Sequence, residues 1–353
     1  MRLLFHRKML SYTLLVFIAF SLLLLLNTCS KSGPPERKGN MERKVLSAPD
    51  GKRVSAYSEE TSNIAYGAAQ RQVFDFYPAS SSGIHPLVIM IHGGYFYTGG
   101  KDEWRKDVYG FVHLLTKSGI HVVILNYRYA KEGVSIQACM DDGVELVQFL
   151  RYHHQRFSLN VDAIGLFGAS SGAGVAQYIA CHDDFADSNF FDHRAKSSRV
   201  NFAVLLGAQT TYNPLSWEAI GEKCSTSPVV VQQDAELSSQ FSRMYARSDY
   251  TSPEALSIAD SISATHLLTV DDPPLHYFYL GDASAKSTPP YSFDDYPNYD
   301  ILLHHPSFVD YLLEVNPIAR HSVDVHSLMN DFKGNEDSFW LKIFTTIKDG
   351  FSR

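Results

Sequence analysis

Two kinds of apolar run alternate along the chain. Short unbroken ones, His85 to Ile91 (HPLVIMI), His121 to Leu125 (HVVIL), Ala163 to Phe167 (AIGLF), Asn201 to Gly207 (NFAVLLG) and Leu275 to Leu280 (LHYFYL), predict strands covered on both faces. Gln72 to Tyr77 (QVFDFY) alternates polar and apolar residues instead and predicts a strand with one covered face. Between these runs the apolar positions fall at helical spacing: Val108, Phe111, Val112 and Leu115 within Trp104 to Ser118, and Val144, Leu146, Val147 and Leu150 within Ile136 to Phe157. Ala173 to Cys181 reads as a third helix, built of small and apolar residues, and Ser322 to Val325 as a last short strand before a closing helix, Asp337 to Phe351. Buried strands separated by helical stretches imply parallel pairing and right-handed crossovers. The expected fold is therefore α/β, a doubly wound, mostly parallel sheet. Residues 209–270 are too long for a simple loop and read as a cap region.

The first residues break the pattern. Arg2, Arg7 and Lys8 precede an almost wholly apolar stretch from Tyr12 to Leu26, the layout of an export leader. Leu26-Asn27-Thr28-Cys29 loosely matches a lipoprotein cleavage box, with Cys29 as the residue a lipid would modify. Residues 30–45, rich in Ser, Gly, Pro and charge at their start, read as a flexible linker. The expectation is an exported protein, periplasmic or on the cell surface, that touches a membrane only through residues 1–29. The remaining 46–353 read as one domain. A net charge of −7 argues against a nucleic-acid partner, which needs a basic face. Cys139, Cys181 and Cys224 show no metal-ligand spacing; Cys139 and Cys181, beside apolar residues in helical patterns, are read as buried thiols, with no bridge assigned.

Three strand ends carry unusual residues. Gly168-Ala169-Ser170-Ser171-Gly172 is a G-x-S-x-G between a buried strand and a small-residue helix. That context suits a serine nucleophile held on a sharp, strained turn at the positive end of a helix. His92-Gly93-Gly94-Tyr95 ends an earlier strand, where consecutive glycines let backbone N–H groups turn toward a substrate oxygen. Gly93, Gly94 and Ser171 are the expected oxyanion-hole donors, with His92 orienting the loop and Tyr95 in the pocket wall. The adjacent pairs His153-His154 and His304-His305 do not share a helical face, so neither is read as a metal site.

With these motifs the chain resembles the α/β-hydrolase superfamily, in particular the HGG-type esterases that include the hormone-sensitive-lipase group and feruloyl-esterase-like lipoprotein hydrolases. Asn126-Tyr127-Arg128 is similar to that group's D-Y-R segment, and Gln137 with Asp141 to its Q-x-x-x-D helix; the likeness covers roughly residues 70–182. It implies a triad in the chain order serine, acid, histidine. The acid should follow the strand 275–280, where Asp282 comes directly after Gly281; Asp294 and Asp295 in the insertion 284–303 are the alternatives. The histidine should follow the last strand, which selects His326 over His321 and His304-His305. The implied activity is hydrolysis of a small-molecule carboxylic ester through an acyl-enzyme, with no cofactor and no metal. An arylformamidase-like amide hydrolase, or a non-catalytic binding protein on the same scaffold, are the other readings.

Overall fold

In the computed structural model, residues 61–131, 133–224, 235–279, 307–327 and 336–352 are described. The leader 1–29 with Cys29, the linker 30–45, Asp282, Asp294, Asp295, His304, His305 and the insertion 284–303 lie outside them. From Asn63 onward the chain forms one unit around an eight-stranded sheet. Its strands are β1 (Ile64–Ala65), β2 (Val73–Tyr77), β3 (His85–Ile91), β4 (His121–Leu125), β5 (Leu159–Ala169), β6 (Phe202–Leu206), β7 (Leu275–Tyr279) and β8 (Val323–Ser327), in the spatial order β1-β2-β4-β3-β5-β6-β7-β8. β1 and β2 run antiparallel to their neighbours, and every pairing from β4 to β8 is parallel. The five unbroken apolar runs each became a strand.

Helices cover both faces. α1 (Lys101–Lys117) and the closing helix Glu336–Gly350 share one apolar cluster with Val88, Met90, Phe167, Phe202 and Phe278. On the other face, α2 (Ile136–Tyr152) and α4 (Ser171–Cys181) pack with Leu87, Ile89, Ile91, Leu166 and Leu205. Every residue of α4 is buried. Its run of Gly, Ala and Ser is what lets a helix lie so close to the sheet.

Several element ends differ from the sequence reading, each for a tertiary reason. The long helix expected over 136–157 breaks at His153 into α2 and the single turn α3 (His154–Phe157), after which Ser158, at φ 54°, turns the chain into β5. α1 starts three residues earlier than its apolar spacing indicates, because Asn126 Oδ1, from the loop after β4, accepts the Lys101 N–H at 2.7 Å. A side chain from a distant loop is thereby the acceptor for one of the orphan N–H groups of the helix start. Between β6 and β7 lie α5 (Pro214–Cys224), α6 (Ala235–Met244), α7 (Pro253–Ser261) and α8 (Ala264–Leu267). Cys139 and Cys181 are free, buried thiols as expected.

The strand 72–77 has two covered faces, which corrects the reading of one. Asp75 is fully buried, and so is its partner Lys101, whose Nζ lies 3.0 Å from Asp75 Oδ1. The Asn63 N–H also donates to this carboxylate at 2.9 Å, and Arg105 approaches it at 3.6 Å. A buried ion pair adds little relative to an apolar pair of the same volume, but removing one partner strands the other charge. Asp75→Asn is therefore expected to lower the unfolding free energy by about 3 kcal/mol in urea titrations at pH 7, and adding Lys101→Met to recover most of that loss; equal losses in single and double variants would contradict the pairing.

Candidate active site

β5 occupies the middle of the sheet, and Ser170 sits where it turns into α4. The serine has φ 52° and ψ −122°, a backbone region that side chains with a Cβ rarely adopt, and its N–H donates to Leu206 O at 2.8 Å. The turn is held from the β3 side. A Cβ on Gly172 would overlap the carbonyl oxygens of Ile91 and His92. One on Gly93 would come within 3.0 Å of Ala169 O and 3.2 Å of the Ser170 Cβ. The His92-Gly93-Gly94 segment and the serine turn are thus in direct contact, as the two motifs lead one to expect.

The loop after β3 then winds in the left-handed sense through Gly94, Tyr95 and Phe96, at φ 129°, 54° and 65°. Two hydrogen bonds close it, from Tyr97 N–H (3.0 Å) and Thr98 N–H (2.9 Å) to Gly94 O. Among the described residues, the backbone N–H groups of Gly93, Gly94 and Ser171 take no hydrogen-bond acceptor. They are available to an oxyanion.

Beneath the loop, the Tyr127 hydroxyl donates to His92 O at 3.0 Å and accepts from the Ser171 hydroxyl at 3.2 Å, so one phenol joins both halves of the site. Its ring stacks on the imidazole of His92 at 4.6 Å. Arg128 is fixed by Asp142, through two contacts of 2.6 and 2.9 Å to Oδ1 and a backbone N–H bond of 2.7 Å to Oδ2. Gln137 instead pairs with Asp141 at 2.9 Å and with the Tyr178 hydroxyl. The carboxylate that holds Arg128 is therefore the one after the residue picked out by resemblance. The signal was present in the spacing: Asp142 lies three after Cys139 and four before Leu146, on the buried stripe of α2.

His92 Nδ1 donates to Gly93 O at 2.7 Å, which leaves Nε2 buried with no partner among the described residues. Burial lowers the pKa of this imidazole to about 4, with the Gly93 bond acting in the opposite sense. It is neutral at physiological pH and acts on the loop through its shape and one hydrogen bond. Tyr95 is half-buried, 5.9 Å from Tyr97 in a stacked pair. Phe96 packs edge-on against Tyr212, 5.7 Å away, and the Tyr212 hydroxyl abuts Gly174 in the first turn of α4.

The last strand ends two residues later than the sequence reading has it, so it includes the expected base. His326 is inside β8 rather than beyond it, in register with Phe278. Its ring stacks on Phe278 at 4.4 Å, and its Nε2 is 3.5 Å from Nδ1 of His276. Burial, and then the charge of Lys342, hold its pKa below the usual histidine value. β8 stands three strands from β5, about 14 Å across the sheet. His321 is exposed at the end of a 3-10 turn. Groups of three or more residues able to hold a metal are absent among the described residues.

A separate cleft of about 500 Å³, lined by Arg151, Val161, Asp162, Lys196 and Asn201 among others, lies at the amino ends of β5 and β6, opposite the serine. The Arg151 N–H groups in it are taken by the carbonyls of Val161, Ser197 and Arg199. That arginine holds loops together.

Comparisons with known proteins bear on the family and the fold. A family model described as BD-FAE matches residues 74–275. A kynurenine formamidase of Danio rerio is 30% identical over 136 residues, 37% of this chain and 42% of that protein, so the match spans under half of the relative. Among solved structures, a truncated carbohydrate esterase from gut microbiota superposes with a TM-score of 0.60 at 14% identity, covering 84% of this chain and 99% of that one. Esterase B from Lactobacillus rhamnosis gives 0.55 at 16%, covering 82% and 85%. An acetyl ester-xyloside bifunctional hydrolase from Caldicellulosiruptor lactoaceticus gives 0.52 at 18%, covering 79% and 88%. These likenesses show the α/β-hydrolase fold.

The neutral, buried His92 makes stability depend on pH. Its folded pKa lies below the ordinary value of 6.5, so the unfolded chain binds the extra proton and stability falls as pH drops from about 6.5 toward 4. The expected loss from this group approaches about 3 kcal/mol at the acid end. Urea unfolding at pH 7, 5.5 and 4.5 reads it, and His92→Asn should flatten the slope; an unchanged slope in that variant would refute the assignment.

Proposed function

The chain belongs to the BD-FAE family, and from that premise we propose that it is a serine esterase acting on a small carboxylic ester through an acyl-enzyme. The observation that carries this reading is Ser170 at φ 52° on the β5–α4 turn, in contact with Gly93. Ser170 Oγ attacks the ester carbonyl. Gly93, Gly94 and Ser171 donate backbone N–H groups to the oxyanion, at the positive end of α4, where negative charge is favoured. The alcohol leaves, and water releases the acyl group. His92 and Tyr127 position the loop, and Tyr95 forms part of the pocket wall. The helices between β6 and β7 form a cap that limits which substrates enter.

The base is a histidine that accepts the Ser170 proton and returns it to the leaving alcohol. His326, oriented through Asp282, fills this role in the chain order serine, acid, histidine. Its seating against Phe278 and His276 favours a second assignment, in which His304 or His305 is the base. The kynurenine formamidase relative likewise supports a second bond type, an arylformamide, cleaved by the same serine.

A fluorophosphonate probe should label the wild-type protein and leave Ser170→Ala unlabelled; folded protein that resists the probe would sink the enzyme reading in favour of a binding protein. Hydrolysis of p-nitrophenyl acetate should exceed that of an N-formyl arylamide, and the reverse order would make the chain an amidase.

Replacing the acids and histidines one at a time settles the remaining roles. Asp282→Asn is expected to reduce kcat by about 10³ to 10⁴, with Asp294→Asn and Asp295→Asn within a few-fold of wild type. Full activity in His326→Ala, with loss in His304→Ala or His305→Ala, would move the base to the earlier pair.

A further inference from the structure

Arg243, near the end of α6 (Ala235–Met244), places its guanidinium 4.4 Å from the centre of the Tyr97 ring. Tyr97 belongs to the loop that carries Gly93 and Gly94, and its own N–H closes that loop on Gly94 O. The arginine is half-buried. Two of its five N–H groups are used within its own helix: Nη2 donates to Ser239 Oγ at 2.7 Å and Nε to Ser239 O at 3.3 Å. Among the described residues it makes no ion pair and the other three N–H groups take no acceptor. The protein around it is acidic overall, with a net charge of −7. Buried or half-buried arginines ordinarily sit against a carboxylate, because a charge taken part-way out of water needs a counter-charge.

The position of this cation is fixed. Phe241 of the same helix packs edge-on against Trp217, 5.0 Å away. Tyr245, just past the helix, donates to Tyr212 O at 2.7 Å, and Tyr212 lies against Phe96 of the glycine loop. The helix is therefore tied to the oxyanion loop through Arg243 on Tyr97 and through Tyr245 on Tyr212. Tyr97, which carries the guanidinium on its ring, also stacks on Tyr95. A planar, multidentate donor stacked on the loop that adjoins Ser170 is suited to an anionic group on a substrate whose ester carbonyl meets that loop.

We propose that Arg243 is a specificity-determining residue that binds a carboxylate carried by the ester substrate, a reading that rests on Ser170 being the nucleophile. Its test compares charged probes with their neutral methyl esters. The acyl side is read with p-nitrophenyl hydrogen succinate against methyl p-nitrophenyl succinate, and the alcohol side with 4-acetoxybenzoate against methyl 4-acetoxybenzoate. For at least one pair, wild-type KM should be about tenfold lower for the anion. Arg243→Met should bring the KM ratio of methyl ester to anion down to about one, and Arg243→Lys should restore part of the preference. Melting curves establish that both variants are folded. Equal KM values within both pairs, or an Arg243→Met change that strikes anion and methyl ester alike, would overturn the proposal.

Calorimetric binding of the same probes to Ser170→Ala protein separates this idea from the catalytic reading. If no probe is hydrolysed by wild type but the anion still binds tighter through Arg243, the catalytic reading fails and the anion site stands. If anion and ester bind alike there, the anion site fails whatever the turnover.

Discussion

The passage from β5 into α4 imposes the constraint on which the rest of the site depends. A strand in the middle of a parallel sheet must turn within one residue into a helix that packs back on the same sheet, and Ser170 takes φ 52° to do so. A residue with a Cβ in so sparsely populated a backbone region costs on the order of 1–3 kcal/mol, which persists only where the surroundings over-determine it. They do so here by close approach: Gly172 lies under the carbonyls of Ile91 and His92, and Gly93 lies against Ala169. The contacts that force the serine outward are the same ones that bring the N–H groups of the glycine loop beside it. The serine turn and the glycine loop are one packing solution.

Around that contact, buried polar groups link strand ends to helices. Asn126 caps α1, Tyr127 joins His92 to Ser171, and Arg128 is locked by Asp142, so three consecutive residues after β4 each reach a different element. Asp75 and Lys101 do the same between β2 and α1. Each pair is satisfied by a partner far away in sequence, which is the condition under which burial of a polar group is tolerated. Together they restrict the freedom of the glycine loop without any contact to a substrate.

This division explains what the sequence made legible. Unbroken apolar runs and small-residue helices are local signals, and they gave the strands, the parallel order of the sheet and the serine turn. Polar residues inside the core carry no local mark of burial: Asp75 looks like the solvent side of an alternating strand until Lys101 is known to face it. The same holds for helix ends. Asn126 extends α1 backward from 25 residues away, and α2 stops at His153, within an otherwise helical pattern. Asp142 belongs here too: it stands at helical spacing from Cys139 and Leu146, but its burial shows only with Arg128 against it.

The proposed acid and base belong to the part of the site that periodicity does not reach. Ser170 is delivered by a strand and a helix, whereas the ends of β7 and β8 stand two and three strands away, roughly 10 and 14 Å. What the fold fixes is the departure point. Tyr277 donates to Gln177 Oε1 at 2.7 Å, Gln177 in turn to Gln209 O at 3.1 Å, and Tyr279 to Ala208 O at 2.7 Å. Gln177 lies on α4, seven residues after Ser170, so the end of β7 is tied by buried hydrogen bonds to the helix that follows the serine turn. A carboxylate leaving Tyr279 therefore starts from a point rigidly related to Ser170. His326 stands at the matching position on β8, opposite Phe278, with its ring already engaged. These hydrogen bonds fix where the chain leaves β7 relative to Ser170, and periodicity stops at both strand ends, so substitution is a sharper probe of the proposed acid and base than any pattern in the chain.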